Sequence, residues 1–245
     1  GQIARTTQCR VVEAQRDETF RVSLDVLEKA IEAEKPDLMF LCSPNNPTGT
    51  PESVEVVEAA LALSSGAVVV DEAYGQFADF TALEMLRGSD ASESLIVTRT
   101  FSKTWSMAGV RLGYCVAPSW MLDEFQKVAL PYHLDSVKQV AGRVALRFQD
   151  QMEQRVAQIA SERQRVVEAL TLMGLEVWPS QANFILFKTT PCALPGEEVW
   201  KRLLNRSVLV RDCSGWPGLT DCLRVTLGTE LENTLFLEAL QEALQ

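Results

Sequence analysis

Three short apolar runs, separated by stretches long enough for a helix, constrain the fold of this chain most. The runs are Leu38–Cys42, Ala67–Val70 and Leu95–Val97. A continuous apolar run of this length is typical of a strand that is covered on both faces, which is the usual environment in a parallel sheet. Strands that alternate with helices predict an α/β fold, with a mostly parallel sheet and helices on both of its faces.

The stretches between and around these runs carry helix and turn signals. Ser23 is predicted to cap a helix whose apolar face comprises Leu24, Leu27 and Ile31. The other predicted elements of this half are a strand at Cys9–Ala14, a helix with Thr50 as its cap and Pro51 at its start that runs to about Ser64, and a helix near Leu83–Leu86.

Polar side chains follow each of the three predicted strands, at the point where the strand ends. Asn46 lies in a turn after the first strand, Asp71 and Tyr74 follow the second, and the segment Thr100–Lys103 follows the third. Because ligands of open α/β sheets bind at the carboxyl ends of the strands, these clusters are predicted to form one site. Taken singly, Asp71 could cap a helix, Asn46 could hold its turn, Tyr74 could pack in the core and Lys103 could be a solvated loop charge.

The second half of the chain has a different pattern. A long helical stretch from about Asp135 to Met173, with a break near Asp150, is predicted to connect two domains. It is followed by the elements of a smaller α+β domain: strands at 175–178 and 182–187, a helix at 197–205, strands at 207–211 and 222–227, and a final helix from about 230. We therefore predict a large domain over residues 1–134, incomplete at its N-terminus, and a connecting helix with a small domain over residues 135–245.

Charge and cysteine content exclude several classes of protein. The net charge is −10, and Lys and Arg form no clustered basic patch, which argues against nucleic-acid binding. No apolar run approaches the ~20 residues of a membrane span. The six cysteines are scattered and His133 is the only histidine, so a zinc site is not expected. Most of the cysteines lie in apolar runs and are interpreted as reduced core residues of a cytoplasmic protein.

The residues of the predicted site form a set with one known chemical use. An amine, a carboxylate, a phenol, an amide and a group of hydroxyls with an arginine match the functional groups of pyridoxal 5′-phosphate. A lysine condenses with its aldehyde, and a carboxylate keeps its ring nitrogen protonated so that the ring can accept electrons. Its ring oxygen suits a phenol and an amide, and its phosphate suits hydroxyls and a guanidinium.

At this point the sequence resembles a known family. The segments Ser43–Gly49 (Ser-Pro-Asn-Asn-Pro-Thr-Gly), Val70–Tyr74 (Val-Asp-Glu-Ala-Tyr), Thr100–Lys103 (Thr-Phe-Ser-Lys) and Cys222–Thr229 are similar to motifs of the aspartate-aminotransferase superfamily, fold type I. Pro131–Leu134, Leu209–Ser214 and Pro217–Leu219 make the histidinol-phosphate aminotransferases the most similar members. The resemblance extends over the whole chain, with the motifs in the family's order.

The resemblance implies a role for each residue of the predicted site. Lys103 matches the lysine that binds the cofactor aldehyde, Asp71 the partner of the ring nitrogen, and Tyr74 and Asn46 the ligands of the ring oxygen; Lys103, Asp71 and Tyr74 are the implied catalytic residues. Thr100, Ser102 and Arg111 match the phosphate ligands. Arg224 matches the arginine that grips a substrate carboxylate, Arg211 lies where the substrate side chain would be, and Asn46 adjoins the substrate.

The implied function is transamination between L-histidinol phosphate and 2-oxoglutarate in histidine biosynthesis, by a cytoplasmic homodimer with small-molecule substrates. Other interpretations stay open: an aromatic amino-acid transaminase, a threonine-phosphate decarboxylase, an aminotransferase-like domain of a transcription regulator, or an inactive fragment. Members of the family carry a further segment before the position of Gly1, which would supply a phosphate-binding turn, a ring stacked on the cofactor and much of the dimer contact.

Overall fold

The computed structural model describes residues 2–87, 92–189 and 194–245. The helices of these residues are α1 (Gln2–Thr6), α2 (Leu24–Glu34), α3 (Val54–Leu63), α4 (Ser119–Val128), α5 (Ser136–Ala145), α6 (Gln149–Leu172), α7 (Gly196–Asn205) and α8 (Glu230–Ala243). The strands are β1 (Leu38–Cys42), β2 (Ala67–Asp71), β3 (Leu95–Thr100), β4 (Gly113–Val116), β5 (Glu176–Val177), β6 (Phe184–Lys188), β7 (Arg211–Asp212) and β8 (Cys222–Thr226).

The first sheet has the order β1-β2-β3-β4. β1, β2 and β3 run parallel, as the strand–helix alternation predicts, and β4 returns antiparallel to β3. α2 and α3 cover one face of this sheet, where Leu27, Ile31 and Val57 pack against apolar side chains of the strands. Each strand therefore buries every second residue against these helices.

The opposite face of the first sheet is covered only in part. Met121 of α4 packs against Val69 and Ile96, but Leu38 and Phe40 of β1 are 49% and 63% exposed. The prediction that this strand is covered on both faces is therefore wrong for β1 among the described residues, because α4 lies over the two central strands and does not reach it.

The second sheet is antiparallel with the order β5-β6-β8-β7. One of its faces packs against α6, α7 and α8 through a core that includes Ile185, Phe187, Leu223 and Val225. Side chains alternate along a strand, so Phe184, Leu186, Cys222 and Arg224 lie on the other face. That face is turned towards the carboxyl ends of the first sheet, because Arg224 and Phe184 contact residues there.

The predicted long helical stretch is confirmed, with its break at a 3-10 turn over Leu146–Phe148 between α5 and α6. The first half of α6 packs on the first part of the chain through Met152 and Val156. Its second half packs on the second sheet through Val166 and Leu170. The helix thus connects both sheets; the division at residues 134 and 135 stays a prediction.

Some predicted elements are wrong. Residues 9–14 pair with no strand among the described residues, and 207–211 contribute only Arg211 to a strand. α3 begins at Val54 with Ser53 as its cap; Thr50 cannot cap it, because its hydroxyl is buried and bonded to Thr48.

Smaller differences concern ends and surfaces. Leu24, predicted to lie on the apolar face of α2, is exposed, although α2 begins after Ser23 as predicted. The stretch near Leu83–Leu86 is a 3-10 helix, and β4 and α4 were not predicted. No helix within residues 2–87, 92–189 and 194–245 is both long and apolar enough to cross a membrane.

The cysteine prediction is correct for two residues. Cys213 and Cys222 are buried, Cys42 is half-buried, and Cys9 and Cys115 are exposed; the five are free thiols. Burial raises the pKa of the Cys213 thiol, and raises that of Cys222 to about 12. Cys192 lies outside the described residues.

Candidate active site

The three polar clusters lie at one edge of the first sheet. The parallel register pairs Cys42 with Asp71 and Asp71 with Thr98, so the carboxyl ends of β1, β2 and β3 lie side by side. The loop after β1 carries Asn46, the turn after β2 carries Tyr74, and the segment after β3 carries Lys103. This is the arrangement that the strand pattern predicts.

Lys103 extends over the ring of Tyr74. Its Nζ lies 5.1 Å from the ring centroid, within the range of a cation–π contact. Lys103 itself is exposed, whereas Tyr74 is buried. The Tyr74 ring packs edge-on against Phe184 of β6, with 5.0 Å between the ring centroids. Tyr74 therefore packs in the core, which is the structural role that its sequence position also allowed. Its ring at the same time forms the surface beneath the Lys103 amine.

Arg224 continues this line of contacts on the other side. Its guanidinium carbon lies 4.9 Å from the centroid of the Phe184 ring, and its Nη1 donates a hydrogen bond to Oδ1 of Asn46. Its Nε is buried and has no hydrogen-bond partner among the described residues. Buried donors are nearly always satisfied, so this nitrogen is available to an acceptor that the chain itself does not supply.

Arg211 lies directly opposite Arg224 in the second sheet. The two residues are register partners of β7 and β8, and directly opposite residues share a face of a sheet. Neither guanidinium forms an ion pair with a carboxylate among the described residues. Like charges placed opposite each other destabilise a sheet. An anion bound between the two arginines would offset that cost.

The loop that holds Asn46 is fixed to the loop between β5 and β6 by a close approach at Gly49. Gly49 has φ +77°, and a Cβ at this position would collide with Ser180 Oγ. Its carbonyl accepts a hydrogen bond of 2.8 Å from the Gln181 amide. Only glycine fits a positive φ with such a contact at no steric cost. This contact keeps Asn46 within reach of Arg224.

Asp71 ends β2 with its carboxylate held by two donors. Oδ1 accepts hydrogen bonds from the Ala73 amide at 3.2 Å and from Thr98 Oγ1 at 3.1 Å. The next residue across the sheet, Cys42, has the pKa of its thiol raised by burial and by the negative charge of Asp71. The Cys42 thiol therefore stays neutral at pH 7, and it adds no second negative charge beside Asp71.

The predicted phosphate ligands lie on two segments: Thr100 and Ser102 at the end of β3, and Arg111 just before β4. Thr100 Oγ1 accepts a hydrogen bond of 3.0 Å from the Ser102 amide and donates one of 3.4 Å to the Leu112 carbonyl. Because Leu112 follows Arg111, the β3–β4 pairing brings Arg111 back beside Thr100. Arg111 is exposed and has φ 56°. The hydroxyls of Thr100 and Ser102 and the guanidinium of Arg111, whose Nη1 donates to the Ala108 carbonyl at 3.4 Å, are therefore carried by neighbouring segments, and together these groups suit a phosphate.

A buried ion pair behind the site was not predicted from the sequence. Glu72 Oε2 accepts from Arg99 Nε at 3.0 Å and from Arg99 Nη2 at 2.7 Å, and the two side chains are 2% and 12% exposed. Glu72 also accepts from Thr81 Oγ1 and the Ala82 amide. The available signal was a pair of charged residues, Glu72 and Arg99, at the ends of two apolar strands. The pair fixes the chain directly after Asp71.

We expect Glu72→Ala to lower the free energy of unfolding by about 3–5 kcal/mol, because it leaves the buried Arg99 charge unpaired. Urea denaturation followed by tryptophan fluorescence measures the change. The matched control is Glu84→Ala, which breaks the exposed pair of Glu84 with Arg87 and should cost about 1 kcal/mol or less. Equal losses in the two variants would show that Glu72 and Arg99 do not act as a buried pair.

Comparison with known proteins gives a consistent result. The sequence profile of the family described as "Aminotransferase class I and II" matches residues 1–240. Histidinol-phosphate aminotransferases of Thermobifida fusca and Corynebacterium diphtheriae are 42% and 37% identical to the chain, over 98% and 99% of its length. The chain spans 64% of the length of each of these relatives.

A solved structure is similar over nearly the whole chain. The histidinol-phosphate aminotransferase from Sinorhizobium meliloti, in complex with pyridoxal-5′-phosphate, has a TM-score of 0.82 and 26% sequence identity to this chain. The similarity covers 98% of this chain and 66% of that chain.

Proposed function

The chain belongs to the class I and II aminotransferases, and on this premise we propose that the complete protein is a pyridoxal-phosphate-dependent transaminase that acts on L-histidinol phosphate and 2-oxoglutarate. The structural similarity confirms the predicted fold, the α/β fold of type I pyridoxal-phosphate enzymes. The observation that carries the proposal is the unbroken line of contacts from Lys103 through Tyr74, Phe184 and Arg224 to Asn46. It holds the Lys103 amino group and the Arg224 guanidinium against the same pair of packed rings.

The side chains present fit the cofactor. Asp71 offers a carboxylate for the ring nitrogen, and Tyr74 and Asn46 offer a phenol and an amide for the ring oxygen. The Ser102 hydroxyl and Arg111 offer donors for the phosphate, and Thr100 adds one if its long bond to the Leu112 carbonyl is exchanged. The described contacts leave Asp71 Oδ2 and the Arg224 Nε without a hydrogen bond, so both are available to bound molecules. When bound, pyridoxal phosphate supplies an electron sink for charge that develops at the substrate α-carbon.

The protein's own groups would divide the remaining work. Lys103 Nζ, as a free amine, removes the proton from the substrate α-carbon; such a positioned base contributes about 10²–10⁴-fold to rate. Asp71 keeps a proton on the ring nitrogen by accepting its hydrogen bond. Arg224 and Arg211 orient the substrate through its anionic group, which converts binding energy into alignment of the reacting carbon with Lys103.

Arg211 and Arg224 also support the choice of substrate. Histidinol phosphate carries a phosphate and no carboxylate, whereas 2-oxoglutarate carries two carboxylates, and both must use the same site. Two guanidiniums opposite each other on one sheet face can bind a doubly charged phosphate in one half-reaction and carboxylates in the other. A single arginine would suffice for a neutral amino acid such as phenylalanine.

We expect Arg211→Ala, made in the complete protein, to lower kcat/KM for histidinol phosphate by about ten- to a hundredfold, because a charge-assisted contact contributes about 1.5–3 kcal/mol. Activity towards phenylalanine should change little. Steady-state kinetics with both donors make the comparison, and Arg206→Ala, which removes an exposed arginine paired with Glu242, serves as the control. Equal losses for the two donors would remove the support that Arg211 gives to a phosphorylated substrate.

We further propose that the protein is a cytoplasmic homodimer. The support for self-association is the exposed apolar surface of α5, where Val137, Val140 and Val144 are exposed. The free thiols of the described cysteines fit a reducing compartment. Sedimentation equilibrium of the complete protein tests the dimer.

A further inference from the structure

The Asp71 carboxylate is held asymmetrically. Both hydrogen bonds that it receives from the described residues go to Oδ1, one from the Ala73 amide and one from Thr98 Oγ1. The Ala73 bond is local, since it spans two residues of the turn after β2. The Thr98 bond comes from the neighbouring strand β3 and spans 27 residues. Two donors that approach one oxygen from different directions fix the rotation of the carboxylate and leave Oδ2 to face a ligand.

Thr98 is itself held firmly in place. It is the register partner of Asp71, and its carbonyl accepts a hydrogen bond of 2.9 Å from the Glu72 amide. Its neighbours are Val97, which is fully buried, and Arg99, which is tied to Glu72. A β-branched side chain on a fixed strand has few rotamers, so its hydroxyl stays aimed in one direction. On the β1 side of Asp71, the register partner is Cys42, and no hydrogen bond joins the two side chains among the described residues.

We propose that Thr98 is a positioning residue, which turns the Asp71 carboxylate so that Oδ2 meets the ring nitrogen of pyridoxal phosphate. This inference rests on the proposed function, because it assumes that Asp71 is the partner of that nitrogen. Thr98 makes no contact with the cofactor in this arrangement. The contribution of Thr98 to cofactor affinity should therefore depend on the presence of the ring nitrogen. A general role of Thr98 in folding would not depend on that nitrogen.

The test compares binding of two ligands to the cofactor-free, complete protein. The ligands are pyridoxal phosphate and its 1-deaza analogue, in which carbon replaces the ring nitrogen. Thr98→Val keeps the shape of the side chain and removes the hydroxyl, and Thr98→Ser keeps the hydroxyl. Affinities are measured by titration with absorbance and fluorescence detection, and circular dichroism checks the fold of each variant.

We expect Thr98→Val to weaken binding of pyridoxal phosphate about two- to tenfold, the usual size of one hydrogen bond's contribution. Thr98→Ser should recover most of the parent affinity, since it keeps the hydroxyl but not the β-branch that restricts its rotamers. The deaza analogue should bind parent and Thr98→Val alike. Unchanged affinity for pyridoxal phosphate in Thr98→Val, or an equal loss for both ligands, would overturn the inference while the proposed function stands. If the parent protein binds pyridoxal phosphate no better than Lys103→Ala does, the proposed function itself is overturned.

Discussion

Replacing Lys103 with alanine in the complete protein is expected to lower kcat/KM for every amino donor by about 10⁴-fold, the upper range for loss of a positioned general base. The reason is that the proposed function gives Lys103 two tasks, as the amine that binds the cofactor aldehyde and as the base at the substrate α-carbon. Its Nζ lies over the Tyr74 ring, 5.1 Å from the centroid, at the edge of the sheet where Asp71 ends β2 and Asn46 follows β1. An amine at another position would not reach both reacting carbons.

Two measurements check this expectation. Steady-state kinetics give the loss, with Lys127→Ala as the control, since Lys127 is exposed on α4 and pairs with Glu124. Borohydride reduction of the parent protein with pyridoxal phosphate, followed by mass mapping, should leave the cofactor on the peptide that contains Lys103. Attachment to another lysine, or equal activity of the two variants, would show that Lys103 is a solvated loop charge.

The convergence of the site could be predicted from the sequence because it depends on local patterns. Short apolar runs predict parallel strands, and a polar residue after each run must then lie at the same edge. The positions of Asn46, Asp71 and Lys103 follow from this rule without knowledge of side-chain contacts. The contact of Arg224 with Asn46 does not follow from it, because it joins residues 178 positions apart.

Features that depend on which strands pair, and in which register, could not be predicted from the sequence. That Arg211 opposes Arg224 depends on the register of β7 against β8, which is a nonlocal property. Residues 9–14 have the composition of a strand but pair with no strand in the described parts of the chain, and strand propensity decides little without a partner. β4 escaped prediction because its four residues, Gly-Tyr-Cys-Val, show no alternation of apolar and polar types that would indicate a strand.

Buried charged residues also could not be predicted from the sequence. Glu72 and Arg99 look like ordinary surface residues, since both types are rarely buried. In the structure Glu72 is buried and Arg99 is largely buried, and the two are paired with each other. Such a pair is recognisable only when both strands are in place. The contact of the Thr98 hydroxyl with Asp71 is likewise recognisable only from the paired strands, because it depends on β3 lying next to the last residue of β2.

The carboxylate of Asp71 is expected to be nearly as important as the Lys103 amine. We expect Asp71→Ala in the complete protein to lower kcat by at least about 10²–10³-fold, the usual cost of losing one preorganised electrostatic contact to the charge that develops in a reaction. If Asp71 is the partner of the ring nitrogen, as proposed, its removal leaves that nitrogen with no acceptor for its proton, and the unprotonated ring is a poor electron sink. Binding of pyridoxal phosphate should suffer much less, because the ring-oxygen, phosphate and Lys103 contacts remain.

The measurement therefore has two parts, the affinity for pyridoxal phosphate and kcat at saturating cofactor. The control is Asp123→Ala, which removes an exposed carboxylate from α4 and should change neither quantity. Asp71→Glu should fall between, since the longer side chain keeps the charge but cannot accept from both Ala73 and Thr98 with the same oxygen. If Asp71→Ala retains activity within a few-fold of the parent at saturating cofactor, then Asp71 is a structural residue that ends β2. Another residue near Lys103 and Arg224 must then accept the hydrogen bond of the ring nitrogen.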